Sequence, residues 1–252
     1  MTGFALIRSE LTKSVTSRPA LILALVTILG TWAMAWTNAA SAVGIAPDDP
    51  RLFAAEPIPL EYQGFEMAGF GYVLVVALAA LSAGSEYGAG QQIRVTLLAT
   101  PQRPRVFFVK VLLLATTVAG VGFLTMAGTV VITHAAGSTG LDPLALTPAI
   151  WANIGGVALA WTFTALIAFA LGSLARSAIL PLILITPLVI GVGDFLTGFW
   201  DGAKYLPIAA GAALYSDPAA GLLAPLSGGL VQAAWALVLL VIAGIVFACR
   251  DL

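Results

Sequence analysis

Six long apolar runs alternate with short polar connections along this chain: 19–36, 67–84, 106–133, 150–174, 179–196 and 226–249. Each is long enough for a helix to cross a bilayer core of about 30 Å, which takes roughly 20 apolar residues, and the run 106–133 is long enough to cross with a tilt. None shows the short apolar/polar alternation of a lipid-facing barrel strand. A backbone in lipid must satisfy its own hydrogen bonds, which leaves a helical bundle. The pattern predicts an all-α integral membrane fold, a single transmembrane domain over residues 1–252 with six transmembrane helices.

The connections carry further detail. Residues 1–18 are too polar to span, but Phe4, Ile7, Leu11 and Val15 recur at helical spacing, with Arg8, Glu10 and Lys13 elsewhere around the wheel. This predicts an amphipathic helix lying in the membrane interface; an ordinary cytoplasmic tail is the alternative. Ala39-Ala40-Ser41-Ala42 offers a small-residue cleavage site. The basic region before the first run is long and amphipathic and the run is long for a signal peptide, so it reads as a retained span. Residues 37–65 form a polar, acidic, proline-punctuated loop, and 85–105 is the most polar internal stretch. Lys110, near the inner end of the third run, is expected to snorkel to the headgroups. The fifth run carries Pro181 and Pro187, and Pro187 removes a backbone hydrogen bond in mid-span, so a kink or local unwinding is expected. The connection 199–225 contains an apolar, Ala-rich stretch at 205–215 that is too short to cross, and it reads as a re-entrant outer segment. Trp32, Trp36, Trp151, Trp200 and Tyr205 lie near the outer boundary, as an aromatic belt would.

Composition and charge sharpen this picture. The 252 residues are 60% hydrophobic and 9% charged, against about 25% charged in ordinary soluble domains. Nine of the eleven basic residues (Arg8, Lys13, Arg18, Arg94, Arg103, Arg105, Lys110, Arg176 and Arg250) fall on one predicted face, and only Arg51 and Lys204 on the other. The acids Asp48, Asp49, Glu56, Glu61, Asp142, Asp201 and Asp217 sit with the face poor in Lys and Arg. Basic loops stay cytoplasmic during insertion, so both termini are expected inside a cytoplasmic membrane. The net charge of −1 gives no bulk field for nucleic acid. Cys249 is the single cysteine, which rules out a disulfide within the chain, and it falls on the predicted cytoplasmic side. His134 is the single histidine and has no partners for a zinc site, and Ser85 and Ser173 lack the glycine pattern of a nucleophile elbow. No catalytic or metal-binding residue is therefore predicted, and an intramembrane enzyme is disfavoured. Asp194 is an acid late in the fifth run, open to two readings: a solvated residue or part of an outer gate. Gly155-Gly156 and Gly191-x-Gly193 permit close helix packing.

The segment 85–105 is too long and too patterned for a simple turn. Ile93 and Leu97 lie one helical turn apart, as do Arg94 and Leu98, and Pro101 should stop a helix at Thr100 or before. Read from its residues alone it is either a short amphipathic helix outside the inner leaflet or a solvated loop. The run Glu86-Tyr87-Gly88-Ala89-Gly90, then Ile93-Arg94-Val95-Thr96-Leu97-Leu98-Ala99 and Pro101-Gln102-Arg103, resembles the cytoplasmic segment of bacterial ATP-binding-cassette exporter permeases of the second type. The layout is similar too: amphipathic first helix, six spans, both ends inside and a re-entrant outer segment between spans five and six. The resemblance covers nearly the whole chain. Gln91-Gln92 departs from it, standing where a Thr is frequent, which puts the local hydrogen bonding in doubt.

The resemblance implies a permease subunit that pairs with a second, identical or homologous, permease subunit. It also implies two separate cassette ATPase subunits that bind ATP and Mg, since this chain has no phosphate loop. Residues 86–100 would be the coupling helix, with Glu86, Tyr87, Gln92, Ile93, Arg94, Leu97, Leu98 and Arg103 as its ATPase-coupling residues. Glu86 would pair with a basic residue of the first helix or of the ATPase; a solvated interfacial acid is the alternative. Arg94, Arg103 and Arg105 remain open to ATPase contact or to lipid headgroups. An outer gate would involve Pro187, Asp194, Tyr205 and Tyr215. The cargo expected is amphipathic or lipophilic: a drug, a peptide antibiotic or a lipid-like molecule. The competing reading is a membrane anchor or scaffold for a cytoplasmic complex that moves nothing.

Overall fold

The computed structural model describes residues 3–43, 59–88, 92–99, 102–137, 140–215 and 223–249, with helices and no strand among them. The expectations for Asp48, Asp49, Arg51, Glu56, Gly90, Gln91, Thr100, Pro101, Asp217 and Arg250 lie outside the described residues, as do the side chains of Phe4 and Asp194. In chain order the α-helices are α1 (Gly3–Thr16), α2 (Arg18–Ala42), α3 (Ala68–Gly84), α4 (Gln92–Ala99), α5 (Arg103–Ala136), α6 (Pro148–Ala175), α7 (Ile179–Pro187), α8 (Gly193–Thr197), α9 (Pro207–Ala212) and α10 (Pro225–Cys249). Short 3-10 turns at Phe65–Met67 and Ser85–Tyr87 extend α3 at both ends.

Proline sets many of the starts. It stands in the first two positions of α2, α5, α6, α9 and α10, where its missing N–H would have had no helical acceptor. Thr147 adds a side-chain cap to α6, accepting from Ile150 N at 3.4 Å. At the other end of α6, Arg176 takes a left-handed conformation (φ 53°) and Ser177 N donates back to Gly172 O at 3.1 Å. That is the geometry of a Schellman-type stop.

Five segments are long and apolar enough to cross a membrane: Arg18–Ala42, Leu60–Tyr87, Arg103–Ala136, Pro148–Ala175 and Pro225–Cys249. They coincide with five of the six predicted runs. The first continues past Trp36 to Ala42, where alanines extend the helix at little cost. The fifth run differs from a single span. It is α7, then a π-helical stretch at Leu188–Val192, then α8. The unwinding expected at Pro187 is therefore present, but its sharpest point lies four residues on, at Gly191 (φ 122°). Pro187 removes one N–H, and Gly191 alone can adopt the conformation that follows. A Cβ at Gly191 would meet no neighbour, so strain there is purely conformational. Gly191→Ala should lower stability by about 1–3 kcal/mol. The control Gly120→Ala, in mid-helix with equally open surroundings, should be neutral or stabilising. Thermal unfolding of the two variants in detergent separates these outcomes.

The helices run up and down. One end of the bundle is defined by Asn38 with Glu66, and by His134 with the Glu61 carbonyl. The other end gathers α1, α4, the C-terminal ends of α3, α6 and α10, and the N-terminal end of α5. Helix α6 is the central member: 78% of its most apolar window is buried, against 17% for α2 and 22% for α10. The outer faces of α2 and α10 carry Ile22, Leu25, Leu29, Leu237, Val241 and Ile245, all exposed. Such faces suit lipid.

The core around α6 is held by close contacts at small residues and by one polar node. Trp161 is fully buried and stacks on Tyr72 at 5.9 Å between ring centroids. The Tyr72 hydroxyl lies 2.7 Å from Thr164 Oγ1, and Gln232 of α10 donates to Thr164 Oγ1 at 2.9 Å and to the Ala160 carbonyl at 3.1 Å. Three helices are thereby joined by polar groups that are worth about 1 kcal/mol each in a bilayer interior. The short α9 is almost wholly buried. A Cβ on Gly156 would stand 2.1 Å from the Leu214 carbonyl oxygen, and one on Gly228 2.4 Å from that of Ala210, so glycine is required where this segment lies against α6 and α10.

Candidate functional site

The end of the bundle that carries α4 holds most of the described basic residues and the densest charge chemistry. Helix α4 is amphipathic. Ile93 and Leu97 are buried with Leu6 of α1 and Val106 and Val109 of α5, in a small apolar cluster separate from the main core. The opposite face is open: Val95 is 66% and Leu98 86% exposed, and Gln92 and Arg94 are exposed beside them. Of the two readings of segment 85–105, a docked short helix is the one observed. It is pinned at its root and presents an apolar and basic face outward.

A chain of ion pairs ties this helix to its surroundings. Lys110 Nζ of α5 donates to Glu86 Oε1 at 2.6 Å and to Glu10 Oε2 at 2.5 Å. Glu10 Oε1 also accepts from Lys13 Nζ at 2.7 Å, and Lys13 donates in turn to Thr96 Oγ1 of α4 at 2.7 Å. The side chains of Glu10, Lys110 and Glu86 are 5%, 10% and 10% exposed, so these charges are largely removed from water. Two acids and two bases make the cluster formally neutral, which a buried cluster requires. Four pieces of the chain meet in it: α1, the turn after α3, α4 and α5.

Burial pushes the Glu10 carboxyl up, but the ammonium of Lys110 and then that of Lys13 outweigh it, and the net shift is below the ordinary carboxylate value. The sign follows from linkage. A folded-state value lower than the unfolded one stabilises above the unfolded value, and that contribution disappears as pH falls through the folded one. Acidification from neutral to below the carboxylate range should therefore loosen the α1 contact, and Glu10→Gln should flatten that acid limb. Thermal unfolding in detergent as a function of pH measures both.

Other residues for which a coupling role was expected fall around this cluster. The Tyr87 ring lies under the Arg176 guanidinium, 5.8 Å from carbon to centroid, which joins the turn after α3 to the turn after α6. A Cβ on Gly84 would stand 2.4 Å from Ala178 N, so these two turns touch backbone to backbone. Arg103 is half-buried at the start of α5, and Arg105 is exposed. Ala83, Glu86, Tyr87, Ile93, Phe107 and Lys110 line a small pocket here with Phe169, Ser173 and Phe247.

Three expectations change. Lys110 does not snorkel: two carboxylates hold it inside the protein. Glu86 pairs with this α5 lysine rather than with a base of α1, and it is not a solvated acid. Helix α1 instead supplies an acid, Glu10. Its stripe of Ile7, Leu11 and Val15 is exposed, while Leu6 and Glu10 form its inward face. Sequence reasoning missed Glu10, Lys13 and Thr96 as partners. The available signal was Lys110 itself, since an ionisable residue inside an apolar run calls for a named counter-charge.

The residues expected at an outer gate lie between the last residue of α7 and the start of α10. Pro187 is exposed at the end of α7, and Asp194 is in α8. Tyr205 is half exposed, and its carbonyl accepts from Trp235 Nε1 at 2.9 Å. Tyr215 is half-buried against the main core. No group of three or more His, Cys, Asp or Glu with metal-site geometry occurs among the described residues. No protein-family model, no curated protein and no solved structure matches this chain.

Proposed function

We propose that this chain is the membrane subunit of an ATP-driven exporter, working with a second permease subunit and two separate cassette ATPase subunits. The observation that carries the reading is α4: a helix fixed at the basic end of the bundle by Ile93 and Leu97, with Arg94, Val95 and Leu98 turned outward. A helix anchored on one side and open on the other can receive a push from a partner and pass it on. The ion pairs give it a path to α5 through Lys110. In this account the charge bias puts the α4 end, and both termini, on the inner face of a bacterial cytoplasmic membrane. The broken segment 179–197 is the fifth of six crossings, and the buried α9 belongs to the re-entrant outer segment.

ATP-driven closure of the ATPase pair displaces α4. The spans then rearrange and release an amphipathic or lipophilic cargo outward, by way of Pro187, Asp194, Tyr205 and Tyr215. Each nucleotide state must bias the spans through different contacts with α4, since a partner that binds both states equally shifts nothing.

The test uses the assembly purified in mild detergent and reconstituted. Glu86 is a poor first target, because it is buried in the ion-pair cluster. Arg94→Ala with Leu98→Ala changes only exposed groups. The expected result is normal insertion and continued ATP hydrolysis with loss of vectorial movement of a lipophilic dye. Unchanged transport would remove α4 from the coupling role. A companion complex with no nucleotide hydrolysis would favour the anchor or scaffold.

A further inference from the structure

Helix α1 has two faces that look to different solvents. Leu6 (2% exposed) and Glu10 (4%) are turned into the protein. Ile7 (38%), Leu11 (46%) and Val15 (58%) form an open apolar stripe at i, i+4 spacing, with Arg8 exposed at its edge. This stripe is not an isolated patch. One residue, Ser17, separates α1 from α2, whose own first turns expose Leu21, Ile22 and Leu25. Arg18 stands exposed at the junction. The open face of α1 therefore lies where the first membrane-length apolar helix begins, with arginines beside an apolar strip. A bilayer surface with anionic headgroups matches that arrangement: hydrocarbon for the strip, phosphate for the arginines.

The inward face of the same helix is wired to α4. Lys13 donates to Thr96, Glu10 reaches Glu86 through Lys110, and Leu6 packs with Ile93 and Leu97. We infer that α1 is a lipid-reading arm for the exposed helix α4, so that anionic headgroups binding along Arg8 and Arg18 firm up the seat of α4 and a neutral surface leaves it looser. This deepens the reading of α4 as the coupling element and takes its importance from that reading, but the lipid response is a property of this chain alone. Coupling between sites is reciprocal, so any partner that grips α4 should also strengthen the hold of α1 on anionic lipid.

The experiment is hydrogen exchange on the full chain, without ATPase, in two sets of vesicles: phosphatidylcholine alone, and phosphatidylcholine with phosphatidylglycerol at about a quarter of the lipid. Amides of residues 92–99 should exchange at least about fivefold more slowly with the anionic lipid, the low end of ordinary inter-site coupling. Arg8→Gln with Arg18→Gln should abolish that difference. Lys13→Met should keep α1 protected by anionic lipid while α4 loses most of its response. Equal exchange of 92–99 in the two vesicle types for the unaltered chain would overturn the inference, whatever the variants do. So would a full lipid response in the double arginine variant. Failure of these results with normal ATPase coupling through Arg94 and Leu98 would sink the lipid arm alone; the reverse pattern would sink only the coupling role.

Discussion

Replacing Lys110 by Met should destabilise the chain by about 3 kcal/mol or more, the cost of breaking a buried pair from one side. Among the described residues Lys110 bridges Glu10 and Glu86, and its removal leaves two mostly buried carboxylates without that shared counter-charge. Lys13 compensates only Glu10. The chain then either protonates a carboxyl or opens the seam between α1, α4 and α5. The triple variant Glu10→Gln, Lys110→Met, Glu86→Gln should recover most of the loss, because it leaves no buried carboxylate without a counter-charge, and the Lys13 side chain, 35% exposed, keeps its access to water. Thermal unfolding in detergent of the single and triple variants decides it. A single variant as stable as the parent would mean that water reaches this site freely. A triple variant as poor as the single would mean that geometry, not charge balance, holds the seam.

Trp161→Ala is the second large effect, expected at about 3 kcal/mol, the low end of the range for buried aromatic truncation. In a bilayer the transfer of an apolar side chain from lipid to protein gains little, so the loss comes from the cavity and its missing contacts. Those contacts are many. A Cβ on Gly71 would stand 2.3 Å from the Trp161 ring and one on Gly122 3.2 Å, so the indole fills hollows that α3 and α5 leave by having glycine there. Gly71→Ala should accordingly be destabilising on its own and much less so in the Trp161→Ala background. Such non-additivity is the mark of two residues that share one space. Additive losses in a double-mutant cycle read by thermal unfolding would contradict that packing.

What could be read from the residues and what could not separate along physical lines. Five apolar runs became five membrane-length helices because length and apolarity are summed over 20 or so residues, and no single contact can override the sum. The fifth run held the right signal, Pro187, but the break is sharpest at Gly191. A proline marks where a helix weakens, while the packing of its neighbours decides where it unwinds. In the segment 85–105, the spacing of Ile93 and Leu97 fitted a short helix but left a solvated loop open, and that these two form its buried face follows only from their packing with Leu6, Val106 and Val109. The ion-pair cluster was not legible. Lys110 lies 100 residues from Glu10 and 24 from Glu86, and nothing in local spacing links an acid of α1 to a base in α5. The rule that long cations reach for headgroups failed here because two carboxylates take up the Lys110 ammonium inside the protein. The polar node of Tyr72, Thr164 and Gln232 was missed for the same reason: each is an unremarkable residue in its own run.

The coupling role of α4 is tested most directly by cross-linking in native membranes. Leu98→Cys, in a Cys249→Ser background that removes the single native cysteine, places one thiol on the exposed face. A short thiol-reactive cross-linker should join it to a nucleotide-hydrolysing chain, identified by mass spectrometry, with a yield that changes when ATP is added. If the same thiol reacts freely with a soluble maleimide yet no such chain is captured, the open face of α4 has no energy-supplying partner, and the exporter account is contradicted.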